Sequence, residues 1–184
     1  MGVMFENKLD TVLVIDDEPF HTDWLTDYFE SAGLKIENEL DLQGALKALE
    51  RYRYRYVVVD LSIPFSPALA QPLAELGTEF YRYPGLMAAR RARSTGHNTY
   101  QVIVYSAHDS DEVQKYADKI RCRYMLKGRP RELKMHVESS MKRKPHGWII
   151  GNKPKKAVAP KKVAKKSTPV KRVSKAKRVR KEAK

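Results

Sequence analysis

The chain has a single cysteine, Cys122, among its 184 residues. An intrachain disulfide is therefore excluded, and the composition fits a reducing, cytoplasmic setting. No apolar run approaches the ~20 residues needed to cross a membrane as a helix. The opening MGVMFENKLD lacks the apolar core of a secretory signal, so none is expected. Although it begins Met-Gly, Glu6 stands where an acylation signal requires Ser or Thr. Residues 153–184 lack aromatics altogether and hold one acid, Glu182. Stacking on nucleic-acid bases is thus not expected of that segment.

What is present divides sharply. Residues 153–184 carry 15 Lys and Arg, so the entire net charge of +14 falls there, while residues 1–152 balance 21 basic against 21 acidic groups. A neutral globular part is followed by a segment suited to a polyanion.

Within the first 150 residues, strand-like and helix-like stretches alternate. TVLVID (11–16) reads as a strand, and PFHTDWLTDYFESAG places Phe20, Trp24, Tyr28 and Phe29 at helical spacing before Gly33 ends the helix. LKIENEL (34–40) is a second strand, and Asp41 caps a helix with Leu42, Ala45, Leu46 and Leu49 on one face. YVVVD (56–60), YQVIVYS (100–106) and CRYMLK (122–127) are further strands, with helices over 85–96, 109–120 and 130–144. RYRYRY (51–56) reads as a helix end running into a strand whose tyrosines alternate faces, in preference to a basic-aromatic nucleic-acid patch. The pattern is α/β: a doubly wound, five-stranded parallel sheet with helices on both faces.

In such sheets ligands bind beyond the carboxyl ends of the strands. Those ends carry Asp16-Asp17-Glu18, Asp60, Ser106 and Lys127. Clustered carboxylates raise one another's pKa unless a cation sits among them, and Mg²⁺ accepts a few carboxylate oxygens while keeping positions for water and phosphate. An ammonium and a hydroxyl can contact a transferring phosphoryl group. The chemistry that uses all of these groups is phosphorylation of an aspartate by its own nucleophilic attack. Singly, each group has a plainer reading: acids after a first strand cap helices, and a lysine before Gly-Arg-Pro is a solvated turn residue.

On Asp16-Asp17, Asp60 in VVVDLSIP, Ser106 in VIVYSA and Lys127 in YMLKGRP, residues 9–145 resemble the receiver domain of two-component response regulators. The resemblance implies a flavodoxin-like sheet of order 2-1-3-4-5. It makes Asp60 the phosphoacceptor, with Asp17, Asp60 and the Ser62 backbone carbonyl holding Mg²⁺ (or Mn²⁺) and Asp16 helping through water. Ser106 and Lys127 would contact the phosphoryl oxygens. Tyr124 falls at the family's switch aromatic, or is a half-buried strand tyrosine. Ser62 and His108 fall at positions that tune phosphoryl lifetime, although His108 also reads as a loop histidine. The implied partners are a histidine kinase or phosphotransfer protein, and a second copy through the face of the fourth helix, fifth strand and fifth helix. The implied chemistry is self-catalysed phosphoryl transfer and slow autodephosphorylation, without turnover of an external substrate. A haloacid-dehalogenase-like phosphatase would need an acid two residues after the nucleophile, where this chain has Ser62.

The chain departs from the family pattern in two places. Gly128-Arg129 separates Lys127 from Pro130, and the connection between Asp60 and Gly85 is long. SPALAQPLAEL within it can form a short helix with Leu69, Leu73 and Leu76 inward; a lid or partner surface is one reading of this 65–84 insertion, a tolerated surface insertion the preferred one. Residues 146–184 read as a disordered Lys/Ala/Pro-rich tail resembling linker-histone tails in composition. Its expected function is sequence-independent DNA binding through Lys155, Lys156, Lys161, Lys162, Lys165, Lys166, Lys171, Arg172, Lys177, Arg178, Arg180 and Lys181, which would place the protein at the nucleoid. Thr168 and Ser174 resemble kinase sites, though small hydroxyls are common in such segments. Two other functions fit the sequence: a structural nucleoid protein that dimerises through the receiver fold, and a phosphorelay protein with an incidental tail.

Overall fold

A computed structural model describes residues 5–18 and 23–143. The chain separates into two units, Met1–Asn152 and Lys153–Lys184, and the description that follows concerns the first. Phe20, Lys144 and the whole 146–184 segment, with its twelve candidate DNA-binding residues, Thr168 and Ser174, lie outside the described residues.

Five strands form one parallel sheet in the order β2-β1-β3-β4-β5. They are β1 (Glu6–Ile15), β2 (Lys35–Glu39), β3 (Tyr52–Val59), β4 (Val102–Ser106) and β5 (Arg123–Leu126). The helices are α1 (Asp23–Ser31), α2 (Leu42–Arg51), α3 (Ala70–Leu76), α4 (Thr78–Arg82), α5 (Gly85–Ser94), α6 (Asp111–Lys119) and α7 (Pro130–Met141). Asp41 caps α2 as expected, accepting the Gly44 N–H at 2.7 Å. Gly33, at φ 78°, ends α1.

Each face of the sheet buries its own apolar layer. Val12, Val14, Val58, Ile103 and Met125 pack with Leu25 and Phe29 of α1 and Leu133 and Val137 of α7. Leu13, Ile15, Val57, Val59 and Val104 pack with Leu42 and Leu49 of α2, Leu86 and Ala89 of α5, and Val113 and Ala117 of α6. This alternation along each strand explains why the apolar runs of the sequence are continuous: both faces are covered.

Two strands extend further than their apolar runs. β1 begins at Glu6 and pairs with β3 from Tyr52 onward, with a register shift between Lys8 and Val12. Strict period 2 would put Tyr54 and Tyr56 on the same face. Tyr52 and Tyr54 share the α2–α5 layer, and past the irregularity Tyr56 turns into the α1–α7 layer, so the expected alternation holds between Tyr54 and Tyr56 but not between Tyr52 and Tyr54.

The 65–84 segment does not lie wholly on the surface, contrary to the preferred expectation. A 3₁₀ turn (Pro67–Leu69) leads into α3 and then α4, and Leu73, Phe80 and Tyr83 are buried in the central core. Leu73 faces inward as expected, and Leu69 and Leu76 pack against that core half-buried. The segment is tied to the sheet at its end, where the Gly85 N–H donates to Leu61 O at 3.0 Å. A Cβ on Gly85 would lie 1.9 Å from the Asp60 carbonyl oxygen. Gly85→Ala must therefore push the loop that carries Asp60, and an expected loss of about 2 kcal/mol follows from overpacking against backbone. The check is a lowered denaturant midpoint at unchanged slope.

His97 is buried beneath the start of β3, where no β4 residue reaches. Its Nε2 accepts the Tyr54 N–H at 2.9 Å, while Nδ1 lies 2.9 Å from Ala92 O. Burial, with Arg53 and Arg93 nearby, depresses its pKa to about 4 despite the Ala92 contact. The unfolded chain then binds a proton between pH 6.5 and 4 that the folded chain refuses, so this contribution is complete above pH 6.5 and is lost as pH falls toward 4. Roughly 3 kcal/mol is at stake over that window. Denaturant midpoints across pH 4–7 should show a shallower decline in His97→Gln than in the wild type; equal slopes would assign the acid sensitivity elsewhere.

Candidate functional site

The expected site residues meet at the carboxyl edge of the sheet. Asp16 follows β1, Asp60 follows β3, Ser106 ends β4 and Lys127 follows β5. Neighbouring register delivers them together: Ile15 pairs with Val59, Val59 with Val104, and Ser106 with Leu126. The Asp60 N–H donates to Ile15 O and the Lys127 N–H to Ser106 O, both at 2.8 Å, so the ladder holds even the residues just past the strands.

Asp16, Asp17 and Asp60 each offer a carboxylate oxygen, and these atoms lie within 4.8 Å of one another. Asp16 and Asp60 are buried, at 4% and 8% exposure, whereas Asp17 is exposed. Lys127 Nζ lies 2.8 Å from Asp16 Oδ2 and 3.5 Å from Asp60 Oδ1. Burial alone would lower the Lys127 pKa, but the carboxylates of Asp16 and Asp60 outweigh it and hold the ammonium above its ordinary value. The Asp17 carboxyl is pushed up by desolvation and by the charges of Asp16, Asp60 and Glu18. Three carboxylates against one ammonium leave an excess negative charge on a partly buried rim. Hard oxygen donors in that number suit Mg²⁺, which completes its shell with water and phosphate oxygens. The donor set therefore fits the ion that the receiver resemblance implies.

The two buried acids are bound differently. Asp16 Oδ1 accepts the Glu18 N–H at 3.0 Å, and its Oδ2 is held by Lys127. Asp60 has looser partners, with the Ser62 N–H 3.3 Å from Oδ2 and Lys127 at 3.5 Å from Oδ1. Ser106 is almost fully buried, and its Oγ accepts the His108 N–H at 3.4 Å. Ser62 Oγ and His108 Nε2 are 3.3 Å apart. Tyr124 packs half-buried against the central core from β5, and burial followed by the charge of Asp109 raises its phenol pKa. Two contributors went unseen in the sequence. Gly85 permits the close approach behind Asp60, and Tyr83 lies against the His108 ring, 5.2 Å between centroids. The Tyr-Pro-Gly at 83–85 was the available signal, a turn where a bulky residue meets a glycine that lets backbone approach. Cys122 takes no part: it is buried, and burial raises its thiol pKa to about 12.

No family model matches the chain, and no curated protein matches it. Solved structures do. A CheY-like response regulator receiver domain protein from Methanospirillum hungatei superposes with a TM-score of 0.56 at 17% identity, covering 73% of this chain and 94% of that one. The BeF3-activated N-terminal receiver domain of Klebsiella pneumoniae RstA gives 0.56 at 15%, covering 72% and 99%. The receiver domain of the Francisella response regulator 1452 gives 0.53 at 22%, covering 71% and 94%. The five-stranded sheet with order 2-1-3-4-5 is the fold of these CheY-like receiver domains. Among the described residues no helix is long and apolar enough to cross a membrane.

Proposed function

We propose that this chain is a phosphorylatable response-regulator receiver in which Asp60 takes a phosphoryl group from a histidine kinase or phosphotransfer protein. The observation that carries the reading is the Lys127 ammonium set between Asp16 and Asp60 beside Asp17, at the carboxyl ends of adjacent strands. Asp17, Asp60 and the Ser62 carbonyl would hold Mg²⁺ or Mn²⁺, with Asp16 acting through water. When bound, that ion neutralises charge on the phosphoryl oxygens. Lys127 pairs with one of those oxygens and Ser106 hydrogen-bonds another. As Ser106 moves toward the phosphoryl group, Tyr124 follows inward, and the face of α6, β5 and α7 changes its affinity for a second copy. The protein catalyses only its own phosphorylation and slow dephosphorylation. The second part of the reading is output through residues 146–184, which bind DNA by phosphate contact alone. The charge division of the sequence supports it: +14 beyond residue 152 and none before.

The test is to treat the protein with Mg²⁺ and a small acyl-phosphate donor, trap with borohydride and map the modified residue. Modification at Asp60 is expected. A wild-type protein that binds Mg²⁺ yet takes no label would remove the phosphoacceptor reading.

A further inference from the structure

The connection from Asp60 to Gly85 is longer than a receiver needs, and its last residues return to the carboxylate rim. Tyr83 is 6% exposed, buried in the core with Leu73 and Phe80. Its backbone is fixed on both sides, by its own N–H to Glu79 O at 2.8 Å and by the following Gly85 N–H to Leu61 O. From this anchored position its ring meets the His108 ring at an interplanar angle of 72°. His108 is otherwise exposed, on the loop between β4 and α6. Its Nε2 reaches the Ser62 hydroxyl, and the Ser62 N–H touches Asp60 Oδ2. Thus the loops after β3 and β4 are joined beside Asp60 by one side-chain contact, and the inserted segment braces one of its members. The same segment also grips α6, through Phe80 edge-on to Tyr116.

The receiver resemblance already ties the Ser62 and His108 positions to phosphoryl lifetime; we propose that here Tyr83, a positioning residue delivered by the insertion, holds His108 against Ser62, so that the pair becomes a fixed gate over Asp60 that slows both the arrival of the phosphoryl group and its loss to water. The inference rests on Asp60 being the phosphoacceptor. In hydrolysis a water oxygen attacks phosphorus and the bond from phosphorus to the Asp60 oxygen breaks. Asp60 regains its carboxylate, and inorganic phosphate leaves with the water's protons. Attacking and leaving oxygens lie roughly in line. The attacking water therefore approaches from the side on which the donor's leaving group departed, and a barrier on that side acts on both steps.

The experiment uses the full chain with Mg²⁺ and a small acyl-phosphate donor, following label gain and then decay after donor removal. His108→Ala and Tyr83→Leu, which keeps an apolar side chain in the core, should each speed both steps roughly threefold to tenfold, at most ~1.4 kcal/mol. Tyr83→Phe preserves the ring edge and should keep wild-type rates. The double variant should be no faster than His108→Ala, because Tyr83 acts through His108. The gate is overturned if Tyr83→Leu matches the wild type, if the two changes multiply, or if His108→Ala slows decay, which would make His108 a participant in hydrolysis. Each of those results leaves Asp60 as phosphoacceptor intact. A wild-type protein without label overturns that reading and the gate with it.

Discussion

Asp60→Asn takes up at least ~100-fold less phosphoryl label than the wild type under identical Mg²⁺ and donor, because the amide oxygen is a far weaker nucleophile than the carboxylate. The choice of Asp60 over its neighbours follows from how each acid is held. Asp16 has both oxygens committed at short range, to the Glu18 N–H and to Lys127. Asp17 is exposed, and the Lys127 ammonium pairs with Asp16 and Asp60 instead. Asp60 is buried, has only long contacts on its oxygens, and faces Ser62 and Lys127. It is the carboxylate that can turn toward an incoming phosphorus without breaking a strong hydrogen bond. The Asn variant should fold, since the substitution keeps the shape and relieves repulsion with Asp16 and Asp17. Undiminished label in that variant would move the nucleophile to Asp17, and loss of label with loss of folding would show up as a collapsed thermal transition.

The site was legible because each of its groups sits at the end of an apolar strand, and strand ends are marked by the change from Val and Ile to a charged or hydroxyl residue. Residues 57–60 and 102–106 show this directly. The start of β1 was not legible. Glu6, Asn7 and Lys8 have no apolar period and become strand only by pairing with Tyr52, Arg53 and Tyr54, a tertiary decision. The same holds for the insertion. Its Leu69, Leu73 and Leu76 spacing was readable, but α4 has five residues and owes its place to Phe80 in the core. Tyr83 and His97 were invisible for a related reason. Their partners, His108 and the Tyr54 N–H, are remote in sequence, so no local pattern announces them.

Cutting the chain after Asn152 should leave phosphorylation and Mg²⁺ binding unchanged while duplex DNA affinity falls by at least ~100-fold near 100 mM salt. All the carboxylate-site residues and both apolar layers lie before residue 144, whereas the removed residues hold the whole net charge. In the intact protein, log affinity should fall with log salt at a slope of about 0.9 per phosphate neutralised. Sequence should matter little, since lysines on phosphates carry no base information. Scrambled duplexes of equal length, titrated at several salt concentrations, decide the matter. A truncated protein that binds as tightly as the intact one would place the DNA contact on the receiver and reverse the division of labour. If neither protein binds at moderate salt, the basic segment serves another polyanion or solubility, and the single-domain phosphorelay reading takes first place. A strong preference for one duplex sequence would also contradict phosphate-only binding, because discrimination between bases needs contacts to base edges or a deformed duplex.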